Sequence, residues 1–122
     1  MFNIGDVICF YSDEAGKRKF HLCISINGHY LFLNSAKLKS YPSDYILPAT
    51  EFPFLPQNTP DTIISCSLVL KKSNEELKKR GAKRLGTAKR ETLLGLINFI
   101  ERDRALPEAV KDEIFDGLGD WM

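Results

Sequence analysis

The stretch Lys19-Phe20-His21-Leu22-Cys23-Ile24-Ser25-Ile26-Asn27-Gly28-His29-Tyr30-Leu31-Phe32-Leu33-Asn34 sets two apolar, β-branched and aromatic runs on either side of an Asn-Gly pair. Alternation in the first run places Phe20, Leu22, Ile24 and Ile26 on one face of a strand and Lys19, His21, Cys23 and Ser25 on the other. Asn27-Gly28 is the sequence of a two-residue hairpin turn in which both central residues take positive φ, so the segment predicts an antiparallel pair. Val7-Ile8-Cys9-Phe10-Tyr11 precedes it as a further strand, closed by the loop Ser12-Asp13-Glu14-Ala15-Gly16, and Thr62–Leu70 follows as another. Short β-rich runs separated by regular turn signals are the pattern of a small barrel or sandwich. Between the strands, Pro42, Pro48, Pro53, Pro56 and Pro60 remove too many donors for a central strand. Residues 41–60 are therefore expected as an irregular connection with at most one short edge strand, pinned to the core by Phe52, Phe54 and Leu55.

After residue 70 the hydrophobic period changes. Ser73-Asn74-Glu75-Glu76 has capping-box spacing, which predicts a short helix to about Arg80 ending at Gly81. Leu93, Leu96, Ile97 and Ile100 recur at helical spacing, and Pro107 opens a third helical segment striped by Val110, Ile114 and Leu118. The expected fold is mainly β with C-terminal α: a small, partly open SH3-like β-barrel of about five strands over residues 1–70, followed by two or three helices over residues 71–122 that pack on it. A chain of 122 residues with 43% hydrophobic and 27% charged residues fits one folded domain.

Net charge is +1, so no global field proposes a nucleic-acid or membrane partner. Locally the charge is segregated. Residues 71–90 hold nine basic and two acidic side chains, whereas residues 101–122 hold three basic and seven acidic ones. Lys78, Lys79, Arg80, Lys83 and Arg84, on the short helix and its exit loop, can meet phosphates, an acidic protein or solvent alone. No apolar run is long enough to span a membrane and no signal peptide is read at the start, so a cytoplasmic protein is expected. Cys9, Cys23 and Cys66 sit in apolar runs without metal-ligand spacing and read as buried small hydrophobes; no metal or other cofactor is expected.

Two histidines are present, and neither a Gly-rich phosphate loop nor a serine- or metallo-hydrolase motif occurs. His21 lies on the polar side of its strand beside Lys19, with Lys17 and Arg18 just before it. A histidine among cations can exchange protons, and a lysine can stabilise a pentavalent phosphate, which together are what metal-free RNA cleavage requires; a solvated strand surface is the other reading of the same residues.

The opening Ile4-Gly5-Asp6-Val7-Ile8, the basic strand Lys19–Ser25, the strand ending Leu33-Asn34-Ser35 and the late strand Ile63-Ile64-Ser65-Cys66-Ser67 resemble the MazF/PemK family of toxins from bacterial toxin–antitoxin pairs, over roughly residues 3–80. The resemblance implies an SH3-like barrel, a homodimer, metal-independent cleavage of single-stranded RNA, and inhibition by an antitoxin that occupies the RNA groove. It carries the family's basic residue onto Lys19, its Thr/Ser position onto Asn34 and Ser35, and its late-strand arginine and acid onto Ser65 and Ser67, a departure that leaves no acid–base pair there. The expectation is therefore a toxin-like endoribonuclease or a diverged inactive relative, with Lys19, His21, Asn34, Ser35, Ser65 and Ser67 at the catalytic site and Lys17, Arg18, Lys78, Lys79, Arg80, Lys83 and Arg84 meeting RNA or a partner. The rival is a non-catalytic SH3-like module that binds an acidic protein or nucleic acid through residues 71–90.

Overall fold

A computed structural model describes residues 2–35, 43–56, 59–119 and 121, with the side chain of Ser35 excepted. Among the described residues six antiparallel strands form one sheet: β1 (Asp6–Ser12), β2 (Lys17–Cys23), β3 (His29–Ser35), β4 (Asp44–Pro48), β5 (Asp61–Lys71) and β6 (Lys83–Thr87), in the order β4-β5-β3-β2-β1-β6. The helices are α1 (Asn74–Lys79), α2 (Arg90–Arg102) and α3 (Glu108–Gly119). None of the described helices is long and apolar enough to cross a membrane.

The β2–β3 connection forms where the Asn-Gly pair predicts it, but not in the expected turn. Positive φ is confined to Gly28, at 86°, and Asn27 does not share it. The amide of Gly28 donates to Ser25 O at 3.3 Å and that of Ile24 to His29 O at 2.9 Å, which closes a four-residue turn over Ser25–Gly28. A glycine suits this corner for a second reason. A Cβ at residue 28 would lie 2.3 Å from the Lys72 carbonyl oxygen, since the turn packs directly on the backbone leaving β5. Because β2 ends at Cys23, Ile26 belongs to the turn and is exposed instead of joining the apolar face.

The proline-rich connection yields the single short edge strand β4 and a 3₁₀ turn at Ala49–Glu51, with Phe52 and Leu55 buried beneath it. Residues 83–87, expected as an exit loop, instead form β6, which pairs with β1 by setting Arg84 beside Ile8 and Lys83 beside Cys9. The segment after β4 reaches across to the opposite edge of the sheet. Phe54, just after β4, covers Gly86 of β6 so closely that a Cβ there would come within 2.4 Å of the ring, and Glu51 accepts from Thr92 Oγ1 at 3.3 Å. The result is a small, partly open barrel followed by helices.

Both sheet faces are packed, by different helices. Val7, Leu22, Ile24, Leu31, Leu33, Ile64 and Cys66 form the larger core with Leu93, Leu96, Ile97 and Ile100 of α2 and Ile114 and Leu118 of α3, the stripes read from the sequence. On the opposite face Ile8, Phe10, Cys23, Tyr30 and Leu70 meet Leu77 of α1. The capping box holds α1 in place: Ser73 Oγ accepts from the Glu76 amide at 3.1 Å while the Glu76 carboxylate accepts from the Ser73 amide. At six residues α1 covers only one end of its face, and the other end carries the polar side chains described next.

Candidate nucleic-acid interface

Cross-strand pairing places the candidates in rows on the α1 face of the sheet. In one row Arg84, Ile8, His21, Phe32, Ser65 and Asp44 run from β6 to β4. In the next, the pairing of Phe20 with Leu33 sets Lys19 beside Asn34, which in turn faces Ile63. The side chains join the rows. Lys19 Nζ donates to Asn34 Oδ1 in a short hydrogen bond and sits 5.9 Å from the centroid of the Phe32 ring, and Asn34 Nδ2 donates to Ser65 Oγ at 2.9 Å. Three strands thus present one connected array of ammonium, amide and hydroxyl, each residue half-buried.

Chemically, the array is a set of donors around one cation. The aromatic ring beneath the ammonium and the amide beside it restrict the position of a flexible side chain, which is what a pre-organised anion site requires. The hydroxyl of Ser65 keeps a donor for a phosphate oxygen, because it accepts from Asn34.

His21 shares this face with Lys19, as strand parity predicts, yet it does not belong to the site. It is fully buried, stacked on Phe10 with centroids 3.7 Å apart and 5.0 Å from Phe32. Neither ring nitrogen has a hydrogen-bond partner among the described residues. Burial pushes its pKa down to about 4, so the ring is a neutral core member near neutral pH and cannot reach a substrate proton. Ser67 is exposed, and the side chain of Ser35 lies outside the described residues.

The cationic side chains divide into two groups. Arg80 makes a two-pronged pair with Asp13, one prong at 2.8 Å, and Arg84 lies 3.8 Å from Asp6. Lys72 is 2.9 Å from Glu14. Arg18 spans the β1–β2 hairpin and the turn after α1, donating to Cys9 O at 3.3 Å and Gly81 O at 3.2 Å. The hydrogen bonds from Arg80 and Lys72 hold the carboxyls of Asp13 and Glu14 below their usual pKa values. This part of the charge run therefore fastens the hairpin tip to α1. Lys17, Lys78, Lys79 and Lys83 are exposed and form no ion pair among the described residues. They lie at the start of β2, on α1 and at the start of β6. Among the described residues no three His, Cys, Asp or Glu side chains gather as a metal site.

No family model matches the chain, and no curated protein matches it. Solved structures similar to it include two crystal forms of a MazE-MazF complex from Deinococcus radiodurans. One crystal form is 16% identical with a TM-score of 0.47, covering 98% of this chain and 93% of that one. Another is 17% identical at the same TM-score, covering 98% and 94%. A likeness at that level decides neither fold nor function, and both are read from this chain's own residues.

Sequence reasoning passed over Asp44. It opens the short edge strand β4, whose register no periodicity reveals, and only the pairing of β4 with β5 sets it next to Ser65.

Proposed function

We propose that this chain is a toxin-like endoribonuclease of a bacterial toxin–antitoxin pair, acting on single-stranded RNA in the cytoplasm as a homodimer. The observation that carries the reading is the hydrogen-bonded array Lys19–Asn34–Ser65 on the sheet face that α1 leaves open. Its residues are those onto which the family resemblance, read over residues 3–80, places the toxin site. In this reading Lys19 holds a phosphate of the RNA and stabilises the charge that builds on its oxygens during cleavage, without calling on a metal ion. Asn34 fixes the ammonium, and Ser65 orients the phosphate, with Ser35 closing β3 and Ser67 two residues beyond Ser65 on β5 as the further hydroxyls of the reading. The exposed Lys17, Lys78, Lys79 and Lys83 extend the cationic surface along which RNA, or an acidic antitoxin competing with it, would lie.

The test is incubation of the purified full chain with a labelled single-stranded RNA in EDTA. The expected result is endonucleolytic product, suppressed by an acidic partner encoded beside the gene. Salt-sensitive binding of intact RNA that is lost on neutralising Lys78, Lys79 and Lys83, but not Lys19, would instead establish a non-catalytic module working through residues 71–90.

A further inference from the structure

On the other side of the sheet, between the edge strand β4 and the C-terminal half of α2, lies a cavity of about 480 Å³ lined by Tyr45, Gly95, Asn98, Phe99, Arg102 and Asp103. It is separate from the Lys19 array. Tyr45 pairs with Ile64, a member of the core that α2 covers, whereas its neighbours Asp44 and Ile46 pair with Ser65 and Ile63 on the opposite face. The apolar wall is built in advance: the half-buried rings of Tyr45 and Phe99 stack with centroids 4.9 Å apart and planes at 27°. Gly95 makes room for that stack, because a Cβ there would collide with Tyr45 Oη. This accounts for a glycine in the middle of α2, where the residue otherwise weakens a helix.

Two opposite charges complete the lining. Arg102 is the last residue of α2, and Asp103 caps it. The Arg102 guanidinium is exposed and forms no ion pair among the described residues, with Asp103 or with any other carboxylate. Asp103 Oδ1 accepts from the Ala105 amide at 2.7 Å, which fixes the carboxylate, while Oδ2 is buried and has no donor among the described residues. A buried oxygen of this kind calls for a donor, and the negative end of the α2 dipole favours a cationic one. A simple cation would leave Arg102 unmatched, and a simple anion would leave Asp103 so. We propose that the cavity binds a free α-amino acid with an apolar or aromatic side chain. Its ammonium donates to Asp103 Oδ2, its carboxylate accepts from the planar fork of Arg102, and its side chain lies against Tyr45 and Phe99. Asn98 offers both a donor and an acceptor at the same wall. The zwitterion is neutral, as is the sum of the two wall charges, and the volume falls within the about 300–1,000 Å³ of small-molecule sites.

The test is calorimetric titration of the full chain with L-phenylalanine and L-leucine. Alongside them run the N-acetyl derivative of each, which lacks the ammonium, the amide of each, which lacks the carboxylate, and glycine, which lacks the side chain. Saturable binding of at least one of the two amino acids is expected. Each analogue should bind at least about tenfold more weakly than its parent, the lower end of what a hydrogen bond to a charged group or a buried apolar side chain contributes. Asp103→Asn, which keeps the oxygen that accepts from Ala105, and Arg102→Gln should each cost about tenfold or more, and Gly95→Ala should weaken binding by displacing Tyr45. If Asp103→Asn does not fold, Arg102→Gln decides, since its side chain is exposed. Failure of both amino acids to bind overturns the proposal. So does an analogue that binds as tightly as its parent, which would mark an unselective apolar groove, and so does unchanged affinity in folded Arg102→Gln or Asp103→Asn.

Discussion

Lys19→Ala is expected to lower RNA cleavage by about 1000-fold, the upper end of what a single pre-organised oxyanion donor contributes in a partly desolvated site. The Lys19 ammonium is the charge in the array, and no neighbour replaces it: Arg18, one residue away, is engaged elsewhere, donating to Cys9 O and Gly81 O. The substitution also removes one half-buried hydrogen bond and a cation–π contact, which together stabilise the fold by about 1 kcal/mol. Stability and activity should therefore separate: cleavage collapses while the thermal midpoint moves by a few degrees. Lys19→Arg should keep RNA binding but recover activity only in part. The planar guanidinium can stack on Phe32 but spreads its charge over a wider fork, so it does not reproduce the point charge that the compact ammonium holds at Asn34 Oδ1. Single-turnover kinetics alongside calorimetry checks both halves of the expectation.

His21 should show the opposite pattern. His21→Ala opens a cavity between Phe10 and Phe32 and is expected to destabilise the fold by about 3 kcal/mol. Cleavage per folded molecule should stay near wild type, since the ring touches no open surface. Its two unpartnered nitrogens also make the native state sensitive to acid. The folded pKa, near 4, lies below the ordinary value of 6.5, so between those values the unfolded chain binds more protons than the native one. Stability is full above pH 6.5 and falls as the pH drops toward 4, by about 3 kcal/mol in all. Asp13 and Glu14, whose carboxyls are held below their usual values, add their losses mainly at the acid end of that window and below it. His21→Leu, which leaves no buried polar atom unpaired, should flatten the slope between pH 6.5 and 4; urea titrations across that range, comparing it with wild type, measure the difference. A slope unchanged in His21→Leu would mean that another group governs the acid response.

The same residue shows where sequence reasoning reaches and where it stops. Alternation in Lys19–Cys23 locates β2 and its two faces, but it reads the face with Lys19 and His21 as polar throughout. Period-two patterning cannot distinguish a wet face from a second core. The distinguishing signal lay in other segments: Phe10, Tyr30 and Phe32 share the parity of His21 once the strands are registered, and Leu77 of the capped α1 closes over them. Helices α1, α2 and α3 were legible because caps and apolar stripes are local features. Strand β6 was not, because Lys83-Arg84-Leu85-Gly86-Thr87 has neither alternation nor β-branched density; it is a strand because the edge of β1 offers it hydrogen bonds. Asn34 and Ser65 were nominated from the family resemblance alone. Their contact with Lys19 and with each other is a property of register, as is the place of Asp44, and register between distant segments is not written in local pattern.

RNA binding on the open sheet face at Lys19, Asn34 and Ser65 would be seen in an NMR footprint. Backbone and side-chain resonances of the ¹⁵N-labelled full chain would be followed during titration with an uncleavable single-stranded oligonucleotide at moderate salt. Saturable shifts are expected, centred on the Asn34 side-chain amide and the backbone amides of Lys19, Asn34, Asp44 and Ser65. Shifts confined to residues 78–84, with Asn34 and Ser65 unmoved, would contradict it.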